Sequence, residues 1–189
     1  MFDRNLKPFA QFDQGLFDFT LSHIDSRTHD AINIIEARHN PGMYVGHSGG
    51  KDSVLVRWMA DRLTLNIPTL HTPKVEGPNK VHPMTMKFIY EEAATRPIWF
   101  IPLDKNPRDW GYDTQVDGTR RAEAERSDGR STIVVIDGQE IDRANMPHYT
   151  SNGLFGLSFV YPFVDWSDIE VWAAIYKYKI RYSEEYLHV

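Results

Sequence analysis

The stretch Met43-Tyr-Val-Gly-His-Ser48-Gly49-Gly50-Lys51-Asp52-Ser53-Val-Leu-Val constrains this chain more than any other, because an apolar strand runs into adjacent glycines and leaves through an amphipathic helix. Paired glycines reach φ > 0 and let backbone N–H groups close on an anion. The helix that follows aims its unpaired N–H groups and positive dipole end at the same point. Ser48 and Ser53 add hydroxyls, and Lys51 adds a mobile positive charge. Val54, Leu55, Trp58, Met59, Arg62 and Leu63 recur at helical spacing, so a helix is expected from about Asp52 to Leu65. The loop is not a Walker A loop: Val45 stands where that pattern has its first glycine, and Asp52 follows the lysine. Its strand–loop–helix setting favours a phosphate loop of another kind over an ordinary Ser-Gly-Gly turn.

The rest of the chain supplies an α/β frame. Residues 1 to 40 read as an N-terminal helical arm, with a helix near Thr28–His39 closed by Asn40-Pro41-Gly42. Residues 41 to 189 read as an α/β domain built around the phosphate loop, the whole forming one globular unit. Ile67–Thr72 and Pro97–Ile101 are expected strands, separated by a helix over Pro83–Thr95. Ser131-Thr-Ile-Val-Val-Ile136 is a continuous apolar run, expected to be a strand covered on both faces. Ser167-Asp-Ile-Glu170 is a capping box opening a helix to about Tyr178, with Val171, Trp172 and Ile175 inward. Strands alternating with helices predict an open, mainly parallel twisted sheet flanked by helices, Rossmann-like, with the phosphate loop at the carboxyl end of its first core strand. Lys105–Tyr112 and Asp142–Gly156 read as irregular.

Composition narrows the function classes. The 189 residues are 41% hydrophobic and 25% charged, with a formal charge of −5, which gives no general attraction to nucleic acid. No run approaches the roughly 18 apolar residues of a membrane helix, and the N-terminus carries no secretory pattern, so a cytoplasmic location without membrane contact is expected. There is no cysteine, so no disulfide, iron–sulfur cluster or thiol nucleophile is expected within this chain. The histidines lack metal-ligand spacing, and no protein-held metal is expected.

Ser48-Gly-Gly-Lys-Asp-Ser53 resembles the PP-loop of the adenine nucleotide alpha-hydrolase superfamily. Gly118-Thr-Arg120-Arg121-Ala-Glu123 and Tyr161-Pro162-Phe-Val-Asp165-Trp166…Val171-Trp172 resemble segments of its phosphoadenosine phosphosulfate (PAPS) reductase family, in the same order. Ile180-Arg-Tyr182 through Tyr186 resembles that family's Ile-Pro-Tyr…Tyr, with Arg181 in place of proline. The resemblance spans about residues 43 to 186. It implies a bound adenine nucleotide, ATP or PAPS-like, with Mg²⁺ accompanying ATP. PAPS reductases continue into a tail bearing the sulfur-accepting cysteine, so self-contained thiol-based PAPS reduction is not expected of these residues.

The resemblance also implies a site. Ser48, Gly49, Gly50, Lys51, Asp52 and Ser53 would bind the nucleotide phosphates, with Gly118 nearby and His71 and Thr72 at the end of the second strand meeting adenine or ribose. Lys51, Asp52, Arg120 and Arg121 are the candidate catalytic residues. Asp52 reads first as compensation for the helix dipole and second as an indirect contact of nucleotide-borne Mg²⁺. Arg120, Arg121 and Arg126, with Glu123 orienting one of them, would hold the far end of a nucleotide or an acidic substrate; the alternative is a solvated helix face. Asp104, Asp137 and Arg130 are minor candidates. The function read first is ATP cleavage to AMP and pyrophosphate with adenylation of an acceptor, a transferase reaction. Sulfonucleotide binding or reduction with an external thiol or partner protein stands second, and a non-catalytic nucleotide-binding module third. A homo-oligomer is compatible with the sequence.

Overall fold

A computed structural model describes residues 6–73, 81–102, 104–122, 133–136, 139–151 and 156–188. Six strands form one sheet in the order β3-β2-β1-β4-β8-β7. They are β1 (Met43–Gly46), β2 (Thr69–His71), β3 (Trp99–Phe100), β4 (Thr114–Val116), β7 (Tyr149–Thr150) and β8 (Ser158–Val160). All pair in parallel except β7, which runs antiparallel to β8. Four helices flank the sheet: α1 (Gln14–Ala37), α2 (Lys51–Ala60), α3 (Pro83–Thr95) and α4 (Asp168–Tyr178).

The period of two along β1 divides the core. Met43 and Val45 join a large cluster with Phe17 and Ile35 of α1, Leu55 and Met59 of α2, Ile89 of α3 and Trp172 of α4. Tyr44, between them, points the other way and packs with Leu70, Ile101 and Leu157. Thus one face of the sheet carries the main apolar core, and the other offers a small aromatic-aliphatic floor.

Several elements differ from expectation. Helix α1 begins at Gln14, where the Asp13 carboxylate accepts from Leu16 N–H, and not near Thr28. Its Phe17, Ile24 and Ile35 are at most 1% exposed, so tertiary burial extends a helix whose own periodicity is weak in its first half. Helix α2 stops at Ala60, well before Leu65. Within the apolar run 131–136, β5 (Ile133–Ile136) lies outside the main sheet and pairs antiparallel with β6 (Gln139–Asp142) in a two-stranded ribbon. On the side of β1 away from β2 the neighbouring strand is the short Thr114-Gln-Val116, too brief and too polar to stand out in the sequence. Helices α3 and α4 lie close to where the pattern put them, and Glu170 accepts from both the N–H and the hydroxyl of Ser167, both at 2.8 Å.

Candidate functional site

The chain order 1-2-3 runs outward from β1 on one side, and the next sheet strand, β4, inserts on the other side of β1. That reversal leaves a crevice beyond the carboxyl ends of β1 and β4, where ligands of open α/β sheets collect. The loop Ser48–Gly50 sits there, between β1 and the start of α2. A cavity of about 1250 Å³ opens at this point and extends from Ser48, Gly50 and Lys51 to Tyr44, Leu157 and Phe159 on the sheet's second face.

The two glycines have different work. Gly49 has φ +80°, and a Cβ there would meet Thr85 Cγ2 at 2.5 Å, so both conformation and packing against α3 require glycine. Gly50 is extended (φ −71°, ψ 157°) and caps α2. A Cβ there would meet Ser48 Oγ at 3.4 Å and Tyr186 Oη at 3.5 Å, ordinary contact, facing the cavity. The Ser53 hydroxyl staples the loop: it donates to Gly50 O at 2.9 Å and accepts from Ser48 N–H at 3.1 Å.

Lys51 is not a mobile surface cation. It is 5% exposed, and its Nζ lies 2.7 Å from Asp52 Oδ2 and 3.4 Å from Asp168 Oδ1. Arg120 differs further from expectation. It is fully buried and donates from Nε to Asp52 Oδ1 (2.6 Å), from Nη1 to Trp166 O (3.2 Å) and from Nη2 to Asp168 Oδ1 (2.5 Å). Two cations and two carboxylates therefore form one network that joins α2, the segment after β4 and the first turn of α4. Arg120 acts there as an internal clamp and does not line the cavity. Arg121 is half-buried and donates from Nε to Met146 O at 2.7 Å; it too is absent from the cavity wall. Gly118 does line the cavity, yet its lack of a side chain serves packing, since a Cβ would meet Asp52 C and O at 2.8 and 2.9 Å. Glu123, Arg126, Arg130 and Asp137 lie outside the described residues.

His71 also departs from its assigned place. Along β2, Leu70 faces the cavity and His71 the opposite side, 1% exposed, with Nδ1 2.6 Å from His47 O. Thr72, next along, does line the cavity, as does Asp104. His47 is 3% exposed, and neither ring nitrogen has a hydrogen-bond partner among the described residues. Burial, then the neighbouring Arg57 charge and His71, pull its pKa down to about 3, so its imidazole is neutral.

Three residues on the cavity wall escaped the sequence reading. Tyr44 donates to Gln115 Oε1 (2.6 Å), Gln115 Nε2 donates to Asp117 Oδ2 (2.7 Å), and Asp117 Oδ1 accepts from Thr119 N–H (2.8 Å). Burial, followed by the Asp117 charge, pushes the Tyr44 phenol upward and keeps it a donor. Tyr44 was hidden within an apolar strand, and Gln115 and Asp117 within a segment too short to mark. A further pair, Asp168 and Tyr186, had signals that pointed elsewhere: the first looked like a helix-start residue and the second only completed a motif.

No protein-family profile and no curated protein sequence matches the chain. Solved structures do. A PAPS reductase from Candida auris in a phosphate complex superimposes with a TM-score of 0.54 at 13% identity, covering 87% of this chain and 89% of that one. An FMN adenylyltransferase from Candida glabrata, in complex with FMN and the ATP analogue AMPCPP, gives 0.56 at 13% identity over 90% of this chain and 66% of that one. The chain shares its fold with these structures. An NH3-dependent NAD synthetase from Campylobacter jejuni subsp. jejuni, at a TM-score of 0.53 and 13% identity over 89% of this chain and 76% of that one, has it too. Within this fold the loop Ser48–Ser53 takes the strand-to-helix position that its motif predicts. Among the described residues no helix is long and apolar enough to cross a membrane, and no group of three or more His, Cys, Asp or Glu is placed to hold a metal ion.

Proposed function

We propose that this chain binds ATP at the PP-loop and transfers its adenylyl group to a second substrate held in the same cavity, releasing pyrophosphate. The observation that carries this reading is the cavity itself. At about 1250 Å³ it exceeds the 300–1,000 Å³ of a site for one ligand, and it has two unlike ends: a polar loop at a helix start, and an apolar floor of Tyr44, Leu157 and Phe159. An acceptor on that floor would lie beside a nucleotide on the loop.

In the reaction an acceptor oxygen forms a bond to the α-phosphorus and the bond to the β-phosphate oxygen breaks, so negative charge grows on the departing pyrophosphate. The first turn of α2, with N–H groups that have no intrahelical acceptors, and the Lys51 ammonium are the donors that stabilise it. The Asp117 carboxylate, held by Gln115 and Thr119, is a fixed acceptor for a hydroxyl of either substrate. Mg²⁺ supplies further charge neutralisation when it arrives on the nucleotide phosphates. The described residues build no protein cage for it, Asp52 and Asp168 both being engaged by Lys51 and Arg120, and no step is assigned to a protein-held ion.

The test is incubation with ATP, Mg²⁺ and panels of alcohols, phosphate monoesters and carboxylates, reading AMP-containing products and pyrophosphate, with ATP and PAPS affinities measured in parallel. Acceptor-dependent pyrophosphate release is the expected result. Preferential binding of PAPS without ATP turnover would replace adenylyl transfer by sulfonucleotide chemistry with an external thiol or partner protein.

A further inference from the structure

The loop that should receive a polyphosphate already has acceptors in it. The N–H of Lys51, the first residue of α2, donates to Tyr186 Oη at 3.0 Å. That hydroxyl stands 3.5 Å from where a Cβ on Gly50 would be, directly over the loop. The Lys51 ammonium and the Arg120 guanidinium both reach Asp168 Oδ1. Asp168 and Tyr186 come from the same third of the chain, the first at the start of α4 and the second in the 3-10 turn Glu184–Leu187, and both line the cavity. A carboxylate on two cations and a hydroxyl on a helix-start N–H reproduce the contacts that phosphate oxygens make at such a loop.

We propose that Asp168 and Tyr186 are internal ligands of the phosphate seat, and that an incoming polyphosphate must displace them to bind. The inference rests on the nucleotide reading of the PP-loop given above. Asp168 can leave: its side chain is 46% exposed and open to the cavity, whereas Asp52, which would remain, is 17% exposed and stays paired with both Lys51 and Arg120, so the departure frees one net positive charge for the anion. Tyr186 is the more firmly held of the two. Its ring meets Trp172 at 5.2 Å, and its turn is tied to α3 through Thr85, which contacts Ser183 and Glu185. Displacing the hydroxyl therefore moves the turn Glu184–Leu187, and binding at the loop becomes coupled to the packing of that turn against α3. Affinity for the polyphosphate is lowered by the work of that exchange, and anything that holds the turn away from the loop raises it.

The experiment compares wild type, Asp168→Asn and Tyr186→Phe by calorimetric titration with Mg²⁺-free tripolyphosphate and, separately, with ATP and Mg²⁺, with thermal unfolding as the folding control. Amide exchange over residues 183–188 is followed with and without tripolyphosphate. The expected result is several-fold tighter tripolyphosphate binding by each variant, with faster exchange of that segment when wild type is saturated. Unchanged or weaker binding by both folded variants, or slower exchange in the segment, overturns the proposal. Weakening by Asp168→Asn that appears only with Mg²⁺ present makes Asp168 a metal contact and overturns its role here. If Asp168→Asn does not fold, Tyr186→Phe and the exchange measurement decide alone. A wild type and variants that all ignore both tripolyphosphate and ATP would instead remove the nucleotide reading of the loop, and this inference with it.

Discussion

At the scale of single residues, the two loop glycines separate a folding requirement from a binding one. Gly49→Ala places a Cβ at a left-handed φ and against Thr85, and is expected to cost about 1–3 kcal/mol of stability, read as a lowered denaturation midpoint. Gly50→Ala meets only ordinary contacts and should fold as wild type while weakening ATP binding, because its added methyl faces the cavity. The reverse pattern would mean that the anion sits elsewhere. His47 gives a prediction in pH. Its folded pKa, about 3, lies below the ordinary 6.5, so between those values the unfolded chain binds the proton more readily than the folded one. Stability therefore falls as pH drops through that window, by up to about 1.4 kcal/mol per pH unit for this one group. His71 is shifted in the same direction by burial and adds to the slope. Replacing His47 by a residue that does not titrate should flatten the stability curve there; an unaltered slope would show that His47 is solvated in the folded protein.

At the scale of elements, the ion network of Lys51, Asp52, Arg120 and Asp168 decides how α2 and α4 meet. Arg120→Ala leaves the Asp52 carboxylate without its shortest partner and empties a fully buried volume, and is expected to destabilise the protein by about 3–5 kcal/mol. A fall in melting temperature accompanying any loss of substrate binding would identify Arg120 as the clamp seen here. Normal melting with lost binding would return it to the role of a ligand that its Arg-Arg motif suggests. Glu170 is a smaller case. It caps α4 through Ser167 and also pairs with Arg27 of α1 at 3.0 Å, so Glu170→Ala should cost about 1 kcal/mol by chemical denaturation, and Glu170→Gln less.

At the scale of the whole molecule, the N-terminal helix is part of the fold that carries the site. Its Phe17, Ile24 and Ile35, with Phe9 from the 3-10 turn Phe9–Gln11 just ahead of it, are at most 1% exposed and belong to the main cluster. Burying each contributes about 1.5–3 kcal/mol, together comparable to the 5–15 kcal/mol that separates folded from unfolded in an ordinary domain. A chain lacking residues 1–37 is accordingly expected to lose cooperative unfolding and near-ultraviolet dichroism. Retention of both would make that helix an accessory arm.

The sequence by itself determined the local chemistry: a glycine pair between an apolar strand and a helix, a capping box, helices over Pro83–Thr95 and from Ser167 to Tyr178, and a parallel α/β frame. All but the frame depend on residues within one or two turns of one another, and the frame follows from the order in which such segments alternate, so composition and spacing express them. Tertiary structure decided the rest. Whether Arg120 meets a substrate or Asp52 depends on a contact 68 residues away in sequence, and whether His71 or Leu70 faces the cavity depends on which side of β2 the helices cover. The place of Thr114–Val116 beside β1 depends on pairing with a strand far away in sequence, while Ile133–Ile136 lies outside that sheet. Register and sheet position are properties of the packed chain, and apolar content alone does not express them.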